Sequence, residues 1–275
     1  MNRQQKIFSI SIKALVYGCA ILIFSILLAI IGYVILRGAP YLTADLFAWN
    51  YTTSNHSMLP SIINTLQMIA LTLLISVPIG IFSAIYMVEY AQPGNKFIKV
   101  VRLATETLQG IPSIVYGLFG YIFFNLTLGL SYSILSGALT MVIMVLPLII
   151  RATEEALIAV DNSYREASYG LGARKLRTVF NVVLPSAMNG IFSGIILAIG
   201  RVFGETAALL FTSGSVSALA GPLDSGSTLA IHMYKLFGEG RQVNESFATA
   251  LVLLLFVVII NAISTMLGHK LGGKE

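Results

Sequence analysis

The chain has 275 residues, of which 56% are hydrophobic and 11% charged, and a mean hydropathy of +0.85, which excludes an ordinary water-soluble domain. Its net charge of +5 does not point to nucleic acid, because the basic residues fall in short connectors between apolar runs, where they report membrane topology. Cys19 is the single cysteine, so no internal disulfide can form, and the histidines, His56, His232 and His269, are too scattered for a metal site.

The first apolar run, residues 14–36, follows Arg3, Lys6 and Lys13. It is longer than the about 7–15 apolar residues of a cleavable signal and matches an uncleaved spanning helix. Residues 37–58, with Pro40, Asp45, Trp49 and Tyr51, form an interfacial connector. A second span covers 59–88, interrupted at Val77-Pro78-Ile79-Gly80. A polar connector over 89–102 turns at Pro93-Gly94. The third span, 108–128, opens on Gln109-Gly110-Ile111-Pro112-Ser113, and the fourth, 132–150, carries Pro147 near its end. A polar stretch over 151–178 precedes a fifth span, 186–211, and a sixth, 247–267. Between these last two, residues 212–246 are rich in Gly and Ser and include a short amphipathic helix over 230–237. This segment is either a solvated loop or a docking surface.

The expected fold is an all-α polytopic membrane protein with six transmembrane helices. Residues 1–58 are a tail, the first helix and an outer connector; 59–268 are the core, with a cytoplasmic loop over about 151–185; 269–275 are a second tail. With the N terminus inside, thirteen Lys and Arg lie in inner segments against three, Arg37, Lys235 and Arg241, in outer ones, while Arg201 lies within a span. This asymmetry puts both termini and the 151–185 loop in the cytoplasm.

No Gly-rich phosphate-cradling loop with its Lys and hydroxyl occurs, and no serine sits in a Gly-x-Ser-x-Gly elbow. The chain is therefore expected not to be an enzyme; if ATP drives it, another chain hydrolyses the ATP. Within the fifth span Arg201 and Glu205 stand out. Each ionisable residue at bilayer depth costs roughly 2.5–3.5 kcal/mol on insertion scales, so neither is expected to face lipid. Their spacing of four predicts one helix face, shared with Ala198, Gly194 and Gly190, small residues that admit a neighbouring helix. The pair reads either as a lock between helices or as part of a pathway. A guanidinium roughly 20–25 Å along the span, a little past mid-bilayer, suits an oxyanion. At Ser113, the preceding Pro112 either kinks the helix or frees backbone groups and the Ser113 hydroxyl to line a cavity. The stretch from Glu166 to Pro185 breaks at Gly170 and Gly172, carries Arg174, Lys175 and Arg177, and predicts an L-shaped docking element at the membrane surface.

Within that stretch Glu166, Ala167, Gly172, Leu184 and Pro185 keep the spacing of the EAA loop and resemble the binding-protein-dependent ABC-importer permeases; Ser168 and Val182 depart mildly from the pattern. Three further stretches are similar to the permeases of phosphate importers: Ile85-Tyr-Met-Val-Glu-Tyr-Ala91, Gly110-Ile-Pro-Ser-Ile-Val-Tyr-Gly-Leu-Phe119 and Arg201-Val-Phe-Gly-Glu-Thr-Ala-Ala208. Of the two sister types, PstA and PstC, the run from Glu205 to Thr212 and the short chain are nearer to PstA. The resemblance implies a type I (MetI-like) permease fold in the bacterial cytoplasmic (inner) membrane. It implies Glu166, Ala167, Gly172, Leu184 and Pro185 as ATPase-coupling residues, to which the basic patch adds Arg174; the reading of the spans gives Arg201, Glu205, Thr206 and Ser113 as the expected substrate pathway. The implied partners are a PstC-type permease, two PstB-type ATPase subunits, an extracytoplasmic phosphate-binding protein and membrane lipid. No cofactor is expected in this chain, with ATP and Mg in the partner ATPase. A permease for sulfate or molybdate would keep the coupling stretch without this pathway combination. A proton-driven carrier or membrane-embedded enzyme would need a relay of ionisable groups, where the sequence supplies one pair.

Overall fold

The computed structural model describes residues 3–92, 94–238, 240 and 242–271, and every long regular element among them is helical. Helix α1 spans Arg3–Gly38 and is followed by two short 3-10 turns, Ala39–Tyr41 and Ala44–Phe47. Helix α2 covers Leu59–Tyr90, α3 Lys96–Gln109, α4 Ser113–Thr127 and α5 Ile134–Ala159. Helix α6 is Asn162–Gly170, α7 Lys175–Gly204, α8 Ala207–Thr212, α9 Leu229–Gly238 and α10 Val243–Leu271. Five helices, α1, α2, α5, α7 and α10, are long and apolar enough to cross a membrane, and the number rises to six when α3 and α4, bent by 104° to each other, are counted as one span. The all-α, multi-pass class follows.

Several boundaries differ from the sequence reading. Helix α2 is not interrupted at Pro78 but continues through it, since one proline removes a single amide donor and the rest of the ladder holds. Gly80 serves packing instead: a Cβ there would lie 2.6 Å from Ile149 Cγ2 of α5. The polar connector after α2 contains a helix, α3, whose Phe97, Val100 and Leu103 are exposed while Ile98 and Thr105 are buried. Charge on one face hid this periodicity from a search for wholly apolar runs. Taken with α4 as one bent span, α3 moves the start of the third span to Lys96 from 108, and α5 and α7 reach well beyond their apolar runs, to Ala159 and back to Lys175. Pro93, Arg241 and residues 272–275, with Lys274, lie outside the described residues.

Helix α5 is the axis of the bundle. Its buried side chains Met141, Met144, Val145 and Ile149 pack with Met68 of α2, Phe203 of α7 and Leu209 of α8. Helix α1 contrasts with it: its apolar side chains are largely exposed, and it meets the bundle where Gly38 abuts the Phe247 carbonyl and Tyr33 packs edge-on against Phe247.

The segment between α8 and α9 is not a solvated loop. Asn64 of α2 donates to Ala218 O at 2.9 Å and Ser227 O at 3.2 Å, and accepts from Ala220 N at 3.0 Å. Thr65 Oγ1 accepts from Leu229 N at 2.8 Å. These bonds pair backbone groups that burial would otherwise leave unsatisfied. Helix α9 then buries His232 beside Tyr51, ring centroids 5.9 Å apart. Burial pushes the His232 imidazole down to about 4, with the charges of Lys235 and His56 acting in the same direction against a bond to the His56 backbone. The unfolded chain thus binds more protons between about 4 and about 6.5, so stability contributed here is complete above 6.5 and is lost as pH falls through that window. Thermal melts of the purified protein are expected to drop by several degrees from pH 7 to pH 4.5, and by clearly less in His232→Phe.

Candidate functional site

Two regions carry the predicted site residues, and one helix connects them. In the membrane, α7 ends at Gly204, and Glu205 follows in extended conformation with φ −75° and ψ 127°. The predicted shared helix face of Arg201 and Glu205 is therefore not formed. Glu205 Oε1 instead accepts the Ala208 amide at 3.0 Å, because the first amides of the next helix, α8, lack intrahelical acceptors. The small face behind it behaves as expected: Gly194 backs onto Ala152, and a Cβ on Gly190 would lie 2.6 Å from Ala156 Cβ.

Helix α4 lies alongside α8. A Cβ on Gly117 would come within 2.8 Å of Ala208 Cα, and Gly120 backs onto Thr140 and Thr212. Residue 117 beside 208 and 120 beside 212 define a parallel register between α4 and α8. The bend before α4 is more than a proline kink, since two helices meet there at 104°. Tyr116 stabilises it by donating from its hydroxyl to Leu108 O at 2.7 Å. The helix that follows the Gly-Ile-Pro-Ser bend thus packs on the helix that follows the Arg201–Thr206 segment. Among the described residues, the Arg201 guanidinium and the Ser113 and Thr206 hydroxyls have no hydrogen-bond or ion-pair partner, and all three residues are half-buried. Sequence reading missed Tyr116, Gly117 and Gly120; the small-residue spacing of the two glycines was the available signal.

At the other end, α6 starts on Asp161, whose carboxylate accepts from Ser163 N at 2.8 Å. That amide holds the Asp161 carboxyl below its usual range. Helix α6 closes in a Schellman motif: Gly172 N bonds Tyr169 O at 2.9 Å and Ala173 N bonds Ser168 O at 3.1 Å, with Gly172 at φ +81°. The second limb starts at Lys175, and Ser168 Oγ meets Thr178 Oγ1 at 2.9 Å across the corner. The departure at Ser168 from the family pattern therefore braces the L. Glu166, Ala167, Gly172, Arg174 and Pro185 are exposed and Leu184 is half-buried. Leu171, missed in the sequence, is 90% exposed at the tip. A cavity of 360 Å³ in the crook is lined by Ser168, Leu171, Gly172, Arg177 and Asn181 among others.

Leu184 and Pro185 lie inside α7, after a π-helical turn over Val179–Val183. The second limb and the fifth span are consequently one helix. From Lys175 to Arg201 this rod runs about 39 Å at 1.5 Å per residue.

Residues 76–272 match the family described as binding-protein-dependent transport system inner membrane component. The chain belongs to this family. Such a component is the membrane subunit of a transporter, not an enzyme. The chain is 34% identical over 281 residues to the probable ABC transporter permease protein YqgI of Bacillus subtilis, with 93% of each chain covered. It is 34% identical over 235 residues to the phosphate transport system permease protein PstA of Pasteurella multocida, with 82% of each covered. Among solved structures it is similar to a bacterial alginate ABC transporter in complex with an alginate-bound periplasmic protein, at a TM-score of 0.67 and 12% identity, over 99% of this chain and 96% of that one. This last likeness is one of fold, and it is the permease fold the coupling motif implies.

Proposed function

We propose that the chain is the PstA-type permease half of an ATP-driven importer of inorganic phosphate in a bacterial inner membrane. The observation that carries this reading is α7: one helix begins in the exposed L-shaped loop and ends at an unpaired arginine in the membrane. The PstA relative supplies the cargo. The charge asymmetry supports cytoplasmic termini and a cytoplasmic loop. Of two PstB-type ATPases, which bind ATP and Mg, one seats α6 and the 171–175 turn of this chain. The apolar surface of α1, left exposed by this chain, is covered by the PstC-type partner permease and by lipid. An extracytoplasmic binding protein, such as the one in the alginate transporter, delivers the anion.

Closure of the ATPases displaces the loop, and the rod of α7 carries that displacement to Arg201, which biases the pathway between inward- and outward-open states. Arg201 offers a planar fork of charged donors to two oxygens of the anion. The Ser113 and Thr206 hydroxyls add neutral donors. Glu205 keeps one oxygen on Ala208 N and presents the other to the O–H of monohydrogen or dihydrogen phosphate; sulfate has no proton to give and is repelled. Co-expression of the chain with its neighbouring transporter subunits tests the class: affinity purification is expected to recover two permeases with two ATPases. Recovery of this chain without any ATPase would refute the importer reading.

A further inference from the structure

Both limbs of the coupling loop are fastened to one turn of α2. That turn, Tyr86–Tyr90, is π-helical, closed by Ala91 N on Tyr86 O at 2.9 Å, and within it Glu89 is buried and Tyr90 exposed. Glu89 Oε1 accepts from Arg165 Nη2 at 2.8 Å and Nε at 3.0 Å. The same guanidinium donates to Leu157 O at 2.9 Å and Val160 O at 2.8 Å, at the end of α5, and to Asn162 Oδ1 at 3.3 Å. Helices α2, α5 and α6 therefore meet at one planar fork whose side chain is 14% exposed, against 6% for Glu89. On the other limb, Lys175 Nζ lies 5.1 Å above the Tyr90 ring.

We propose that the Glu89–Arg165 pair, seconded by Tyr90–Lys175, is the joint through which the coupling loop moves α2, making Glu89 a positioning residue for transport. The proposal rests on the importer reading above. Apolar replacement of a buried ion pair is often neutral for stability, so its use here is to fix which groups move together. The two partners are not equivalent. Arg165 also satisfies the orphan carbonyls that end α5, so its loss would damage the corner itself. Glu89 contributes the link to α2 alone.

The test uses the whole complex in proteoliposomes, measuring ATP hydrolysis and labelled phosphate uptake in the same vesicles. Glu89→Gln, which keeps shape and removes the charge, is expected to leave hydrolysis within about twofold and to lower phosphate moved per ATP by about tenfold. Glu89→Asp, which keeps the charge, is expected to recover much of that ratio. Tyr90→Leu changes an exposed side chain, removes the second link alone, and is expected to lower the ratio about threefold. A wild-type ratio in both Glu89→Gln and Tyr90→Leu overturns the joint, as does a fall of uptake and hydrolysis in common proportion to the complex recovered. Failure of the wild-type complex to take up phosphate would instead refute the importer reading.

Discussion

Arg201→Gln is expected to reduce phosphate uptake by about two orders of magnitude while the complex assembles in normal amount. Each charge-assisted hydrogen bond lost is worth about 1.5–3 kcal/mol, and a planar fork makes two, so even at the lower figure the anion loses about a hundredfold in occupancy of the pathway. Assembly is spared because Arg201 has no ion-pair partner among the described residues; its removal leaves no opposite charge stranded. Arg201→Lys keeps the charge without the fork and is expected to fall between wild type and Gln. Uptake assays normalised to complex recovered from the membrane check both, and near-normal uptake in Arg201→Gln would remove Arg201 from the pathway.

Gly172→Trp is expected to abolish productive docking of the ATPase and with it nearly all uptake. The cause has two parts. A φ of +81° disfavours any L side chain by roughly 1–2 kcal/mol, and an indole would then occupy the crook lined by Leu171, Arg177 and Asn181. No heavy atom lies within 4 Å of a Cβ built on Gly172, so the fold itself does not exclude a larger side chain. Gly172→Asn separates the two parts, because Asn tolerates the left-handed region; it is expected to retain most docking. Co-purification of the ATPase with each variant measures this directly, and undiminished recovery with Gly172→Trp would place the docking surface elsewhere.

The contrast between these two sites explains what was legible in the sequence. The coupling loop is local: its cap, its glycine turn and its bracing serine follow one another within twenty residues, and spacing marked its glycine turn and its end at Leu184-Pro185 while the Asp161 cap and the Ser168 brace emerged from the structure. The pathway is not local. Arg201 was conspicuous because a charge in an apolar run has few explanations, but its partnership with Glu205 rested on assuming an unbroken helix. A carboxylate able to cap a new helix made a break there cheap, and one extended residue turned an i, i+4 pair into two separate groups. Gly117 and Gly120 became meaningful only once α4 was seen beside α8. The Glu89–Arg165 pair joins residues 76 apart in sequence, a separation at which no periodicity informs. Helix α3 was missed for a different reason: its apolar face is narrow, and its Lys and Glu residues lowered the window average below that of a span.

The central claim is that one helix ties an ATPase-driven loop to a phosphate-reading arginine. Uptake of labelled phosphate by proteoliposomes holding the complete complex, its binding protein and internal ATP tests it most directly, with sulfate and molybdate as competitors. The expected result is ATP-dependent phosphate uptake that excess sulfate or molybdate leaves essentially unchanged and that Arg201→Gln lowers about a hundredfold. Uptake suppressed by sulfate or molybdate as strongly as by unlabelled phosphate would contradict the cargo assignment and the role given to Glu205.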